Sequence, residues 1–298
     1  MECRLIRPEG LEEALITREK YAGEAMPIAG GQSLLVMLRN RLISPKALID
    51  LELLNELKRT RTNANEISVG ATTTFHSLLS SPEIKGAISI LSQAAAKVAS
   101  TAIRNLGTIG GNVCHNELGA DLPPTLLVLN AAAELASRSG KRKVPLTEFF
   151  RDFFETALAP DELLVRVEIP QLPKGAAGVY LKHAISPEDL AIVGVAVILV
   201  PTGKRAREVS QVRIGLGGVA PVPFRAVKAE RPLTGAVLND EAIREAGEIA
   251  SSEAEPATDP HGTADYRRKM IKVFVRRALI AALEQIPSPS LSLKEREG

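Results

Sequence analysis

The sequence predicts an α+β protein in two parts, on three observations. Short apolar segments with strand character are mixed with helical segments through the first half. Two glycine-centred pentapeptides, Ala29-Gly30-Gly31-Gln32-Ser33 and Thr108-Ile109-Gly110-Gly111-Asn112, each lie beside such a segment. A break rich in Pro and Gly, from Pro170 to Gly178, then separates this half from further strands and two helices. The expected division is residues 1–174, residues 175–285, and a disordered tail at 286–298 that is Pro/Ser-rich and then charged.

Taken in order, Leu11 to Arg18 reads as a short helix after Pro8, and Met26 to Ala29 as the strand that delivers the first glycine pair. Leu34 to Leu38 can begin a helical turn directly after Ser33. Ala47 to Leu51 and Glu66 to Ala71 read as strands, with a turn at Asn63 to Asn65 between them. Thr74 is placed to cap a helix over Phe75 to Leu79, and the Ala-rich stretch Ile84 to Ser100 reads as one helix. Asp121-Leu122-Pro123-Pro124 opens another helix, with proline in its first turn. Ala133 to Ser137 and Leu163 to Ile169 are strands, the second stopped by Pro170.

Beyond the break, Val179 to Ala184, Leu190 to Val200 and Glu208 to Gly215 read as strands, the last two joined through Pro201-Thr202-Gly203-Lys204. Helices are expected from near Asn239 and from about Asp265 to Leu283. In the latter, Met270, Ile271, Phe274, Val275, Ala278 and Leu279 form an apolar face, and Arg267, Arg268, Lys272, Arg276 and Arg277 a solvated or subunit-facing rim.

Composition removes several functions. At 298 residues the chain can bury two real cores. Its net charge of +2, with no Trp and only three Tyr, argues against nucleic acid as a partner. Cys3 and Cys114 are too few for a disulfide framework, a metal site or an iron-sulfur cluster, which takes four thiolates. The N-terminus has no apolar signal region, and the longest apolar run, Leu190 to Val200, suits a buried strand and not a membrane span. The cytoplasm is the expected compartment. His76, His115, His183 and His261 show no metal-ligand spacing, so no metal site is expected.

The glycine pentapeptides carry the chemistry. Glycine pairs let the backbone turn with positive φ and bring N–H groups close to a ligand. Successive N–H groups aimed into one concavity bind anions without lysine or arginine, and neither pentapeptide contains one. Gln32, Ser33, Thr108 and Asn112 add side-chain donors. Taken singly, either pentapeptide is as readily a tight turn. Neither opens a Gly-x-Gly-x-x-Gly strand-helix-strand unit, and there is no Gly-Lys-Ser/Thr loop, so a Rossmann site and nucleoside triphosphate hydrolysis are both disfavoured.

The order of motifs resembles a known family. Ala29 to Ser33 with Leu34-Leu35, Ala47 to Leu51, Gly70 to Thr74, Arg104 to Asn112, and Ala120 to Pro124 follow one another as in the FAD-binding medium subunit of molybdenum hydroxylases. That subunit is the medium chain of aerobic carbon monoxide dehydrogenase and is equivalent to the flavin domain of xanthine dehydrogenase. Tyr180-Leu181-Lys182, Asp189 to Ala196, Gly215 to Pro221, Tyr266-Arg267-Arg268 and Arg276 to Leu279 are similar to its C-terminal domain. The resemblance implies a two-part FAD-binding domain of the PCMH/VAO type, then a smaller α+β C-terminal flavoprotein domain of antiparallel strands plus helices.

By the same resemblance, Ala29, Gly30, Gly31, Gln32 and Ser33 with Thr108, Ile109, Gly110, Gly111 and Asn112 bind the FAD diphosphate. Asp121 lies on the nucleotide side, Leu164 lines the cofactor, and Lys182 sits near the flavin ring, with Tyr180 a weaker ring contact. Read plainly, the same residues are a helix N-terminal carboxylate, a strand core residue and a solvated lysine. FAD is expected to be non-covalent, because the first pentapeptide carries Gln32 and no nucleophile. No residue is expected to act as a general base or nucleophile. A molybdopterin-binding large subunit and a 2Fe-2S small subunit are the implied partners, in a dimer of heterotrimers, with NAD or a quinone among the acceptors. Relatives often carry Arg or Lys where this chain has Ile185-Ser186-Pro187-Glu188, which points to different flavin electrostatics or a different acceptor face. The alternatives are a stand-alone flavoenzyme of the same fold superfamily and an assembly subunit with no redox role.

Overall fold

The structure, a computed structural model, describes residues 3–203 and 207–286. The tail expected to be disordered therefore lies outside the described residues except for Ile286, as does Lys204 of the expected Pro201–Lys204 turn.

The chain begins with a small parallel sheet of three strands in the order Arg4–Ile6, Ala47–Asp50, Ala25–Ile28. Pro27 is tolerated because its strand is at the edge, where a missing N–H breaks no ladder. The helix Leu11–Tyr21 buries Ala14 and Leu15 against this sheet, and ends on Ala22 in the left-handed region at φ 45°. A second, antiparallel sheet orders Thr60–Thr62, Glu66–Gly70, Leu163–Pro170, Ala132–Ser137 and Gly140–Pro145. Its long strand Leu163–Pro170 serves two cores. Leu163 and Val165 pack under the first sheet, whereas Leu164, Val167 and Ile169 join the helices on the other side. An irregularity in register between Leu164 and Arg166 makes the change of phase.

The helices on that inner side differ from expectation in one place. The Ala-rich stretch forms two helices, Pro82–Ala87 and Ser89–Lys97, parted at Ile88 (φ −140°, ψ 53°), with Ser100 left to cap a third, Thr101–Leu106. Gly86 and β-branched Ile88 weaken the helix there, and burying Ile84, Ile88 and Leu91 in one core decides the break.

The C-terminal sheet is antiparallel, in the order Ala177–His183, Val193–Pro201, Val209–Gly217, Phe224–Arg225. Its central strand starts three residues later than expected: Leu190 is solvent-exposed, and Ala191 N–H donates outside the sheet, to Gly119 O. Val195, Val197 and Leu199 face the helices Asp240–Glu253 and Ala264–Glu284, while Ala196, Ile198 and Val200 enter the core of the preceding part. The strand reads as an unbroken apolar run because both faces are covered. Asn239 and Thr263 cap the two helices by accepting from Ala242 N–H and Tyr266 N–H.

Arg267 does not belong to the exposed rim. Its guanidinium is buried, donates to the Ile192 and Gly218 carbonyls at 2.7 Å each, and pairs with Asp259 at 2.6 Å. Replacing Arg267→Met should lower stability by about 3 kcal/mol or more, since two carbonyls and a carboxylate lose their donor. Urea denaturation checks this; a loss under 1 kcal/mol, as for an exposed ion pair, would contradict the assignment.

Candidate functional site: a glycine-lined cleft and a buried carboxylate

The first glycine segment lies against the residues just before the second, and the second lies against Ala71. A Cβ added at Gly30 would fall 1.9 Å from the Leu106 carbonyl oxygen, and one at Gly110 would fall 2.6 Å from that of Ala71. These neighbours are backbone and cannot swing aside, so only glycine permits the approach. Of the pentapeptide glycines, Gly31 alone takes positive φ, at 67°.

The segments are not two equivalent loops, which corrects the sequence expectation. Ala29 to Ser33 is a loop that runs into the helix Leu34–Arg39, and the N–H groups of Gly30 to Ser33 meet no acceptor among the described residues. Thr108 to Asn112 is instead the start of the helix Ile109–His115. Thr108 caps it by accepting from Gly111 N–H at 3.1 Å, Ile109 N–H donates to Thr73 O at 3.0 Å, and Gly110 N–H donates to Ala71 O at 2.8 Å. The chain itself has taken the Ile109, Gly110 and Gly111 N–H groups, and Asn112 N–H donates to Thr108 O at 3.0 Å. Gln32 is also engaged, its amide donating to Gly30 O at 2.7 Å.

Between the segments opens a cleft lined by Ala29, Gly30, Thr72, Thr74, Leu106 and Thr108, with Glu52 and Lys58 as its charged residues. Thr72 Oγ1 and Asn112 Oδ1 are buried without a hydrogen-bond partner, an arrangement a chain rarely leaves unless a ligand completes it. A cleft that holds the free Gly30 N–H, a lysine and an orphaned hydroxyl fits a phosphate-bearing cofactor. Sequence reasoning missed Thr72 and Lys58. The run Thr72-Thr73-Thr74 after Gly70-Ala71 was the available signal.

Asp121, Tyr180 and Lys182 form one buried cluster. Tyr180 and Lys182 are two apart on a strand and so share a face. The phenol donates to Asp121 Oδ1 at 2.7 Å, and the ammonium to Asp121 Oδ2 at 3.0 Å and Lys97 O at 2.9 Å. Asp121 does stand at the start of the helix Leu122–Val128, though its side chain makes no cap there, whereas the Lys182 side chain is 4% exposed and is not the solvated lysine of the plain reading. Burial raises the Asp121 carboxyl to about 6, against the pull of Lys182 and Tyr180. The Tyr180 phenol is likewise pushed well above its usual range by burial, with Asp121 adding to the shift. Leu164 lies in the core on its strand, as the plain reading had it. His115 packs on Phe154 with ring centroids 4.9 Å apart, and His183 Nε2 lies 2.7 Å from Tyr266 Oη. Among the described residues no group of His, Cys, Asp and Glu could hold a metal ion.

Comparison with known proteins gives the family. Residues 1–172 match the FAD binding domain in molybdopterin dehydrogenase, and residues 179–282 the CO dehydrogenase flavoprotein C-terminal domain. Fold and site thus define an FAD-domain oxidoreductase subunit. The chain is similar to the glyceraldehyde dehydrogenase medium chain of Sulfolobus acidocaldarius, 35% identical over 93% of this chain and 97% of that one. It is 34% identical to the carbon monoxide dehydrogenase medium chain of Afipia carboxidovorans, over 92% and 94% of the two chains. A solved structure of carbon monoxide dehydrogenase from Hydrogenophaga pseudoflava, lacking the Mo-pyranopterin moiety of its cofactor, superposes with a TM-score of 0.93 at 33% identity, covering 96% of this chain and 99% of that chain. The chain belongs to the family of FAD-binding medium subunits of molybdenum hydroxylases, of the carbon monoxide and xanthine dehydrogenase type.

The Asp121 carboxyl should titrate with a midpoint near 6 instead of the ordinary 3.8. The folded state holds this proton more tightly than the unfolded one, so the group adds stability below the ordinary value and that gain is lost as pH rises through about 6. Carbon-detected NMR of labelled Asp residues checks it. A midpoint at or below the ordinary value would show that Lys182 and Tyr180 outweigh burial.

Proposed function

We propose that this chain holds FAD and carries electrons between a partner's iron-sulfur cluster and an external acceptor such as NAD or a quinone. The supporting observation is the backbone contact of Gly30 on Leu106, which creates the cleft, in a chain that matches medium subunits along nearly their whole length. Bound FAD supplies the chemistry, accepting electrons singly and releasing them in pairs.

The chain's residues bind and orient. The free N–H groups after Gly30 and the Ser33 hydroxyl take the diphosphate from one side; Thr108, Ile109, Gly110, Gly111 and Asn112 shape the other. Leu164, an apolar residue of the strand Leu163–Pro170, lines the cofactor in this reading. The tie of Asp121 to Tyr180 and Lys182 fixes the C-terminal sheet, residues 175–285 in the proposed division, against the FAD-binding part, residues 1–174. In this reading Lys182 acts near the flavin through its position beside Asp121. A molybdopterin-binding large subunit and a 2Fe-2S small subunit complete the complex, as a dimer of heterotrimers in the cytoplasm, and substrate is selected there. No helix among the described residues is long and apolar enough to cross a membrane.

Purified protein should show the absorption of oxidised flavin and co-purify with molybdenum, iron and two further polypeptides. An active flavoenzyme isolated as this chain alone would defeat the subunit reading. Gly31→Val places a β-branched residue at φ 67° with its Cβ 2.9 Å from Leu35 Cδ1. FAD affinity should fall by about tenfold or more while the melting transition of the C-terminal part persists. Stoichiometric flavin in this variant would sink the role given to the first segment.

A further inference from the structure

From the cleft we infer that Lys58 supplies the positive charge, and Thr72 a hydroxyl, for the FAD diphosphate; this rests on the flavoprotein reading. The glycine segments contain no basic residue, and the second has given its Ile109, Gly110 and Gly111 N–H groups to Thr73, Ala71 and Thr108. Most backbone donors left to a doubly charged ligand are then those of the first segment, and neither segment offers a positive charge. Glu52 lies on the same cleft and would repel the anion, so a cation is needed beside it.

Lys58 fits that need. It lines the cleft with Gly30 and Thr108, and its ammonium has no hydrogen-bond or ion-pair partner among the described residues. Its backbone is held in place: Lys58 N–H donates to Asn55 O at 3.2 Å, and its carbonyl accepts from Thr73 Oγ1 at 3.2 Å. That last bond ties it to the residue beside Thr72. Thr72 is 5% exposed, and its Oγ1 is the buried hydroxyl left without a partner. A cation on an ordered backbone that lines the same cleft as an orphaned hydroxyl makes an anion site.

The test uses the full chain freed of flavin and titrated with FAD, followed by quenching of flavin fluorescence at low and high salt. Lys58→Gln should weaken binding by about tenfold at low salt, with the gap closing at high salt. Lys58→Arg should restore most of the affinity, and Thr72→Val should weaken binding with the salt dependence unchanged. The Lys58 side chain is exposed, so its variants should melt as the parent does. Lys58→Gln binding FAD like the parent at both salts would overturn the inference and leave the flavoprotein reading intact. So would unchanged FAD binding in an assembled complex with a raised KM for a nucleotide acceptor, which would assign the charge to the acceptor's phosphates. A parent chain that takes up no FAD would instead overturn the flavoprotein reading and this inference with it.

Discussion

The cleft exists because two backbones touch where side chains would ordinarily hold them apart. Gly30 sits on the Leu106 carbonyl and Gly110 on that of Ala71, each closer than any Cβ allows. The first contact joins the small parallel sheet to the helical layer; the second joins that layer to the strand Glu66–Gly70. Because both contacts are backbone on backbone, no neighbouring rotamer change can absorb an added methyl group. Gly30 and Gly110 are needed for assembly. Of the four pentapeptide glycines, Gly31 alone is needed for its conformation.

A second constraint joins the two parts of the chain. The central strand of the C-terminal sheet contributes one face to each core, and at the junction Asp121 meets Tyr180 and Lys182. A buried carboxylate held by a phenol and an ammonium costs desolvation, visible in its raised pKa, and so adds little net stability. What it contributes is registration, since a shift of one residue along the strand would turn both partners away from it.

Much of the fold was legible because hydrophobic periodicity is local. The strand Leu163–Pro170, the apolar face of Ala264–Glu284, the cap at Thr74 and the helix opening near Asn239 each follow from neighbours in sequence. The legible part of the site was equally local, namely the position of two glycine segments. What failed in the reading depended on distant residues. The break at Ile88 follows from where the core lies, the burial of Arg267 from carbonyls at Ile192 and Gly218, and the loss of donors in the second glycine segment from Ala71 and Thr73.

By itself the sequence determined the two-part α+β plan, the glycine segments and, through the order of its motifs, the family. The tertiary structure alone decided which N–H groups remain free, that Asp121 and Lys182 spend their charges on each other, and that Lys58 and Thr72 share a cleft with Gly30. The physical reason is that a hydrogen-bond donor is available to a ligand only if no nearer acceptor has claimed it, and the nearest acceptors here come from remote parts of the chain.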